Sequence, residues 1–111
     1  MRVNANITST GITTLVPKNT ITGIDGINTN TTGVESRINK ITISNNSTSN
    51  EATVSLQIWD GSSVGYNIIG NMKIPAGVTL VLSDNLNFDR NRFSLRTEVS
   101  GTSPILDIII K

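Results

Sequence analysis

The chain has no cysteine and no histidine. The first absence removes disulfides, thiolate metal sites and cysteine nucleophiles together. The second removes the commonest general base, the commonest zinc ligand and the side chain that titrates nearest neutrality. Charge is scarce as well: 15% of the residues are Asp, Glu, Lys or Arg, and the formal net charge is +1. A nucleic-acid binder draws much of its affinity from neutralised phosphates and carries a basic excess or stripe. Neither is present, so nucleic acid is not an expected partner. No apolar run reaches the length of a membrane span, and Met1-Arg2-Val3-Asn4-Ala5-Asn6 lacks the apolar centre of a signal peptide. No membrane partner is expected either.

More than a third of the residues are Asn, Thr or Ser, and the β-branched Ile, Thr and Val outweigh the good helix formers. A chain of 111 residues holds one core. Ala52 to Ile58 alternates strictly, with the apolar residues at even positions, as a half-buried strand does. In Arg92 to Val99, Phe93, Leu95, Thr97 and Val99 share one face while Arg92, Ser94, Arg96 and Glu98 share the other. Between Val34 and Ile43 the alternation changes phase from Ile38 to Ile41, which predicts a bulge or a break. Pro75-Ala76-Gly77 predicts a tight turn, with Met72-Lys73-Ile74 and Val78 to Leu82 as the limbs of a hairpin. Ser83-Asp84-Asn85 predicts a further turn before Leu86-Asn87-Phe88. The spacing of strand and turn signals predicts an all-β chain, a single β-sandwich or jelly roll of about eight short antiparallel strands.

Residues 34–111 carry the sandwich core in this reading, and residues 1–33 allow two. Ile12-Thr13-Thr14-Leu15-Val16 and Thr20-Ile21-Thr22-Gly23-Ile24 are either first strands joined by a Pro17-Lys18-Asn19 turn or parts of an extended arm. As an arm the segment is dispensable for folding. As strands it is not.

Only carboxylates are left for acid–base work. Asp60, Asp84 and Asp89 all fall in predicted turns, where Asp accepts bonds from nearby backbone N–H groups. Asp84 to Asp89 alternates oxygen ligands but lacks the glycine and distant glutamate of an EF-hand. No catalytic, cofactor-binding or metal-ligating residue is expected, and the chain does not read as an enzyme. Trp59 and Tyr66 form a candidate sugar-stacking pair, with core or rim packing as the competing account. Arg90, Arg92 and Arg96 form a basic cluster suited to an acidic patch on a neighbour, or a solvated surface. Ile105 to Ile110 is apolar at nearly every position. It is either a central strand or an edge strand for assembly, with Ile108 and Ile110 as contact residues.

The order Gln57-Ile58-Trp59-Asp60-Gly61, Tyr66-Asn67-Ile68-Ile69, Lys73-Ile74-Pro75-Ala76-Gly77-Val78-Thr79-Leu80-Val81-Leu82 and Phe93-Ser94-Leu95-Arg96 resembles small β-sandwich virion proteins of tailed bacteriophages. These include head decoration and other accessory structural proteins, and the resemblance covers somewhat under half the chain. It implies a non-enzymatic virion component without cofactor, a homo-oligomer (trimer or other) that binds the major capsid protein or other virion subunits. A capsid decoration or cement protein is the leading form; a neck, tail or fibre-associated module, with carbohydrate binding as a variant, is the alternative. Ile12, Leu15, Ile21 and Ile24 would then belong to an arm lying across neighbouring subunits.

Overall fold

The computed structural model describes residues 2–19 and 35–111, and every regular element among them is a β-strand. In chain order these are β1 (Val3–Ile7), β2 (Gly11–Val16), β3 (Glu35–Ile38), β4 (Ile41–Asn45), β5 (Ala52–Trp59), β6 (Gly65–Ile74), β7 (Thr79–Leu82), β8 (Leu86–Asp89), β9 (Ser94–Gly101) and β10 (Leu106–Ile110). They build two four-stranded sheets, β1-β10-β4-β7 and β2-β9-β5-β6, and a two-stranded ribbon, β3-β8. All pairs are antiparallel.

The pairing is nested. β5 pairs with β6, β4 and β3 with β7 and β8, β2 with β9, and β1 with β10. The chain is thus one long hairpin with its tip at the Asp60–Val64 loop, doubled over so that successive rungs fall in alternate sheets. Counting β3 with β4 and β7 with β8 as two bent strands gives the eight-stranded jelly roll.

Periodicity explains the bends. Ile38 and Ile41 are both fully buried, yet three residues apart they would face opposite ways on a straight strand. The break at Asn39-Lys40 restores the phase. Its N–H groups donate to the Lys111 carbonyl at 2.8 and 3.2 Å, and Lys111 N–H returns to Lys40 at 3.0 Å. Opposite this break, Ser83-Asp84-Asn85 joins β7 to β8 without reversing the chain, because both run antiparallel to β4 and β3. The expected turn there is a kink.

The expected hairpin around Pro75-Ala76-Gly77 is also corrected. The turn itself forms: Val78 N–H donates to Pro75 at 3.2 Å, and Gly77 holds φ at 76°, where glycine alone is unstrained. Its limbs, however, lie in different sheets, β6 beside β5 and β7 beside β4. Asn45 accounts for the crossing. Its side-chain amide, buried at the end of β4, donates to the carbonyls of Ile74 and Asn50, both at 2.9 Å. Its Oδ1 accepts from Ser47 N–H at 3.1 Å, while its backbone pairs with Gly77 N–H and the Val78 carbonyl. One residue thereby ties the end of β6 to the start of β7.

Within residues 1–33, the described part is integral. β1 pairs with β10 from Val3↔Ile110 to Ile7↔Leu106, and β2 pairs with β9. Ile7, Leu15 and Val16 lie in the core. Ile21 and Ile24 lie outside the described residues. Ile41 and Ile43 of β4, Ala52, Val54 and Leu56 of β5, Ile74 of β6, Leu95 and Val99 of β9, and Leu106, Ile108 and Ile110 of β10, with Ile38 and Phe88 of the β3-β8 ribbon, complete that core. β10 sits between β1 and β4 and is no edge.

Candidate functional site

A sandwich with a filled core offers its two outer sheet faces, and register says which side chains each presents. On β10 the inward residues are Leu106, Ile108 and Ile110; the outward set is Ile105, Asp107 and Ile109. Cross-strand pairing then gives two rows on the first sheet: Asn4–Ile109–Thr42–Val81 and Asn6–Asp107–Ser44–Thr79. The second row is a hydrogen-bonded band. Asn6 Nδ2 donates to one Asp107 oxygen at 2.7 Å, Asn46 Nδ2 to the other at 2.6 Å, and the Ser44 and Thr79 hydroxyls meet at 3.0 Å. The first row is partly apolar, with Ile109 38% and Val81 50% exposed. Ile105, just before β10 and beyond Asp107 on the same side, is also exposed. A shallow groove of about 320 Å3 runs between β1 and β10, lined by Asn4, Ala5, Asn6, Asp107, Ile108 and Ile109.

The second sheet presents a different surface. Thr14, Arg96, Gln57 and Asn67 lie in register across its four strands. Arg96 Nε donates to Gln57 Oε1 at 2.9 Å, and Gln57 Nε2 donates to Asn67 Oδ1 at 2.7 Å. The Arg96 guanidinium lies 3.8 Å from the centre of the Trp59 ring. Gly65 is paired opposite Trp59, and a Cβ there would come within 3.2 Å of indole Cε3. The indole is therefore held between a bare stretch of β6 and the arginine.

The structure disperses the expected site residues. Arg90 is buried, and its Nε and Nη2 both donate to the Pro17 carbonyl, at 3.2 and 3.0 Å. It fixes the end of β2 and is no part of a surface cluster. Arg92 is exposed over the Phe93 ring at 5.3 Å, and Arg96 stands apart from it on Trp59. Leu15, Ile108 and Ile110 are core residues and present nothing to a partner, because alternation turns them inward. Ile12 is exposed, on the same face as Arg96. Trp59 and Tyr66 do not form one platform: Tyr66 pairs with Ile58, one residue out of phase with Trp59, and meets Phe93 edge-on at 6.1 Å.

Two of the three turn carboxylates, Asp60 and Asp89, accept backbone bonds. Asp60 Oδ1 accepts from the N–H groups of Ser62, Ser63 and Val64 at 2.8, 2.9 and 3.1 Å, closing the hairpin tip. Those backbone donors, Ser62 first, hold its pKa below the ordinary carboxylate value. A lowered folded pKa stabilises the fold above the unfolded value, and that contribution is lost as pH falls through the folded one. A carboxyl 13C titration is expected to place Asp60 below free aspartate, and Ser62→Pro, which removes the leading donor, to move it back up. Asp89 Oδ1 likewise accepts from Asn91 N–H at 2.9 Å. Among the described residues no three acidic side chains gather as a metal site requires.

Sequence reading missed Ile109, Val81, Gln57 and Asn67. For Ile109 a signal existed: Asp107 is the one charged residue between Ile105 and Ile110, and a charge on a half-buried strand marks its solvent face. The other three needed the partner strand's register. Fold and faces together define a small jelly-roll module with two unlike outer surfaces. Comparison with family models, curated proteins and solved structures gives no match.

Proposed function

We propose that this chain is a non-enzymatic structural subunit of a tailed-bacteriophage virion, acting as a capsid decoration or cement protein. The observation that carries the reading is the set of exposed apolar side chains Ile105, Ile109 and Val81, spaced by Asp107 and Thr42, on a sheet face otherwise made of amides, hydroxyls and one carboxylate. Burying these side chains excludes water without stranding charge, since both oxygens of Asp107, the acid among them, already accept from Asn6 and Asn46. The hairpin series from Gln57 to Arg96, which resembles phage virion proteins, supplies the partner: a neighbouring virion subunit, with the capsid shell first.

The paired substitution Ile109→Asp with Val81→Asp tests this. Both side chains point outward, so the fold is expected to survive, with thermal unfolding little changed. Attachment to particles lacking the native protein is expected to fall by about tenfold or more, as loss of a central apolar contact does. Undiminished attachment would remove this face from the interface.

A further inference from the structure

We propose that Arg96, Trp59, Gln57 and Asn67 form a binding site for an acidic saccharide of the hexuronate or sialate class. The site lies on the opposite sheet from Ile109 and Val81 and does not depend on the assembly reading.

Arg96 is preorganised on two sides. Its Nε is committed to Gln57 Oε1, and its plane is set by the Trp59 ring 3.8 Å away. Gln57 is itself oriented, because its Nε2 donates to Asn67. Among the described residues the two terminal nitrogens of Arg96 have no hydrogen-bond partner. A guanidinium with its Nε occupied and its terminal edge free is a fork for a carboxylate, and stacking lowers the entropy lost when the fork closes. Arg90, six residues earlier, is the contrast: it is buried, with Nε and Nη2 on Pro17.

The surroundings favour a sugar carboxylate over a protein one. Thr14 and Asn67 flank Arg96 and Gln57 in one row, exposed and able both to donate and to accept. That chemistry matches ring hydroxyls. The half-buried indole is covered by Arg96 on one side and lies against Gly65 on the other, so it fixes the guanidinium rather than offering a stacking face of its own. Glu98 stands two residues along β9, exposed and without an ion pair among the described residues. Its charge opposes an anion, which gives the site a second handle.

Trp59 is the only tryptophan, so its fluorescence reports the site directly. Titration of the full chain with trigalacturonate and with sialyllactose is expected to give a saturable change for at least one, and none for maltotriose or tetraglutamate. Arg96→Gln is expected to weaken binding by about tenfold or more. Arg96→Lys, which keeps the charge and loses the fork, is expected to weaken it nearly as much. Glu98→Gln is expected to tighten it by roughly twofold at low salt, less at high salt. This variant lies outside the site and serves even if the Arg96 variants misfold. Four results would overturn the proposal: no saturation with either acidic sugar, equal binding of maltotriose, equal binding of tetraglutamate, or no response to Glu98→Gln.

Discussion

Removal of residues 1–16 is expected to abolish cooperative folding. β1 and β2 are the terminal rungs of the nested hairpin, one in each sheet. Their loss strips β10 and β9 of a neighbour over the whole paired length and takes Ile7, Leu15 and Val16 from the core. Each buried aliphatic side chain contributes about 1.5–3 kcal/mol. Three of them, with two sets of ladder hydrogen bonds, approach the whole stability of about 5–15 kcal/mol for a domain. Urea unfolding of the truncated chain, followed by circular dichroism, is expected to show no sigmoidal transition. A sharp transition would mean that residues 17–111 fold alone and that the first strands are an accessory.

Asn45→Asp is expected to be the most damaging single substitution at a polar site. The amide nitrogen of Asn45 faces two carbonyls, Ile74 and Asn50, in a site 1% exposed. A carboxylate there has no proton to donate, so two acceptors lose their partner and a charge is buried against them. Unsatisfied buried groups cost about 1–3 kcal/mol each, so a loss of about 4 kcal/mol or more is expected. The sign of the pH dependence follows. Burial and the facing carbonyls raise the folded pKa of the introduced acid above its unfolded value. The penalty is therefore smaller at low pH, where the protonated acid can donate to one of the two carbonyls, and grows as pH rises through the unfolded pKa. Denaturation midpoints at pH 4 and pH 7 are expected to separate for Asn45→Asp more widely than for the parent. A parallel shift of both would place the effect elsewhere.

Much of the fold was legible because it is written in alternation. Ala52 to Ile58 and Phe93 to Val99 show period two: Ala52, Val54, Leu56, Leu95, Thr97 and Val99 are buried, and Ile58 and Phe93 pack half-buried against the core, although Ser55 and Ser94 of the other phase are buried too. The phase change between Ile38 and Ile41 located a real break. Pairing was not legible, because the partners of a nested hairpin lie far apart: Val3 meets Ile110, and Gln57 meets Arg96. The Arg96–Trp59 stack follows from that register alone. Local reading went wrong where a long-range bond overrides a short-range preference. Pro75-Ala76-Gly77 has the chemistry of a hairpin turn, but Asn45 draws β7 into the other sheet. Arg90 read as surface because arginine usually is, and nothing near it in sequence announces the Pro17 carbonyl it holds.

The proposal that this chain belongs to a phage shell is tested most directly by counting it. Particles gradient-purified from a lysed culture that encodes the protein, digested and quantified by mass spectrometry against the major capsid protein, give its copy number. A decoration or cement role predicts hundreds of copies per particle, in fixed ratio to the capsid protein. A dozen copies or fewer, or absence from intact particles, would contradict it.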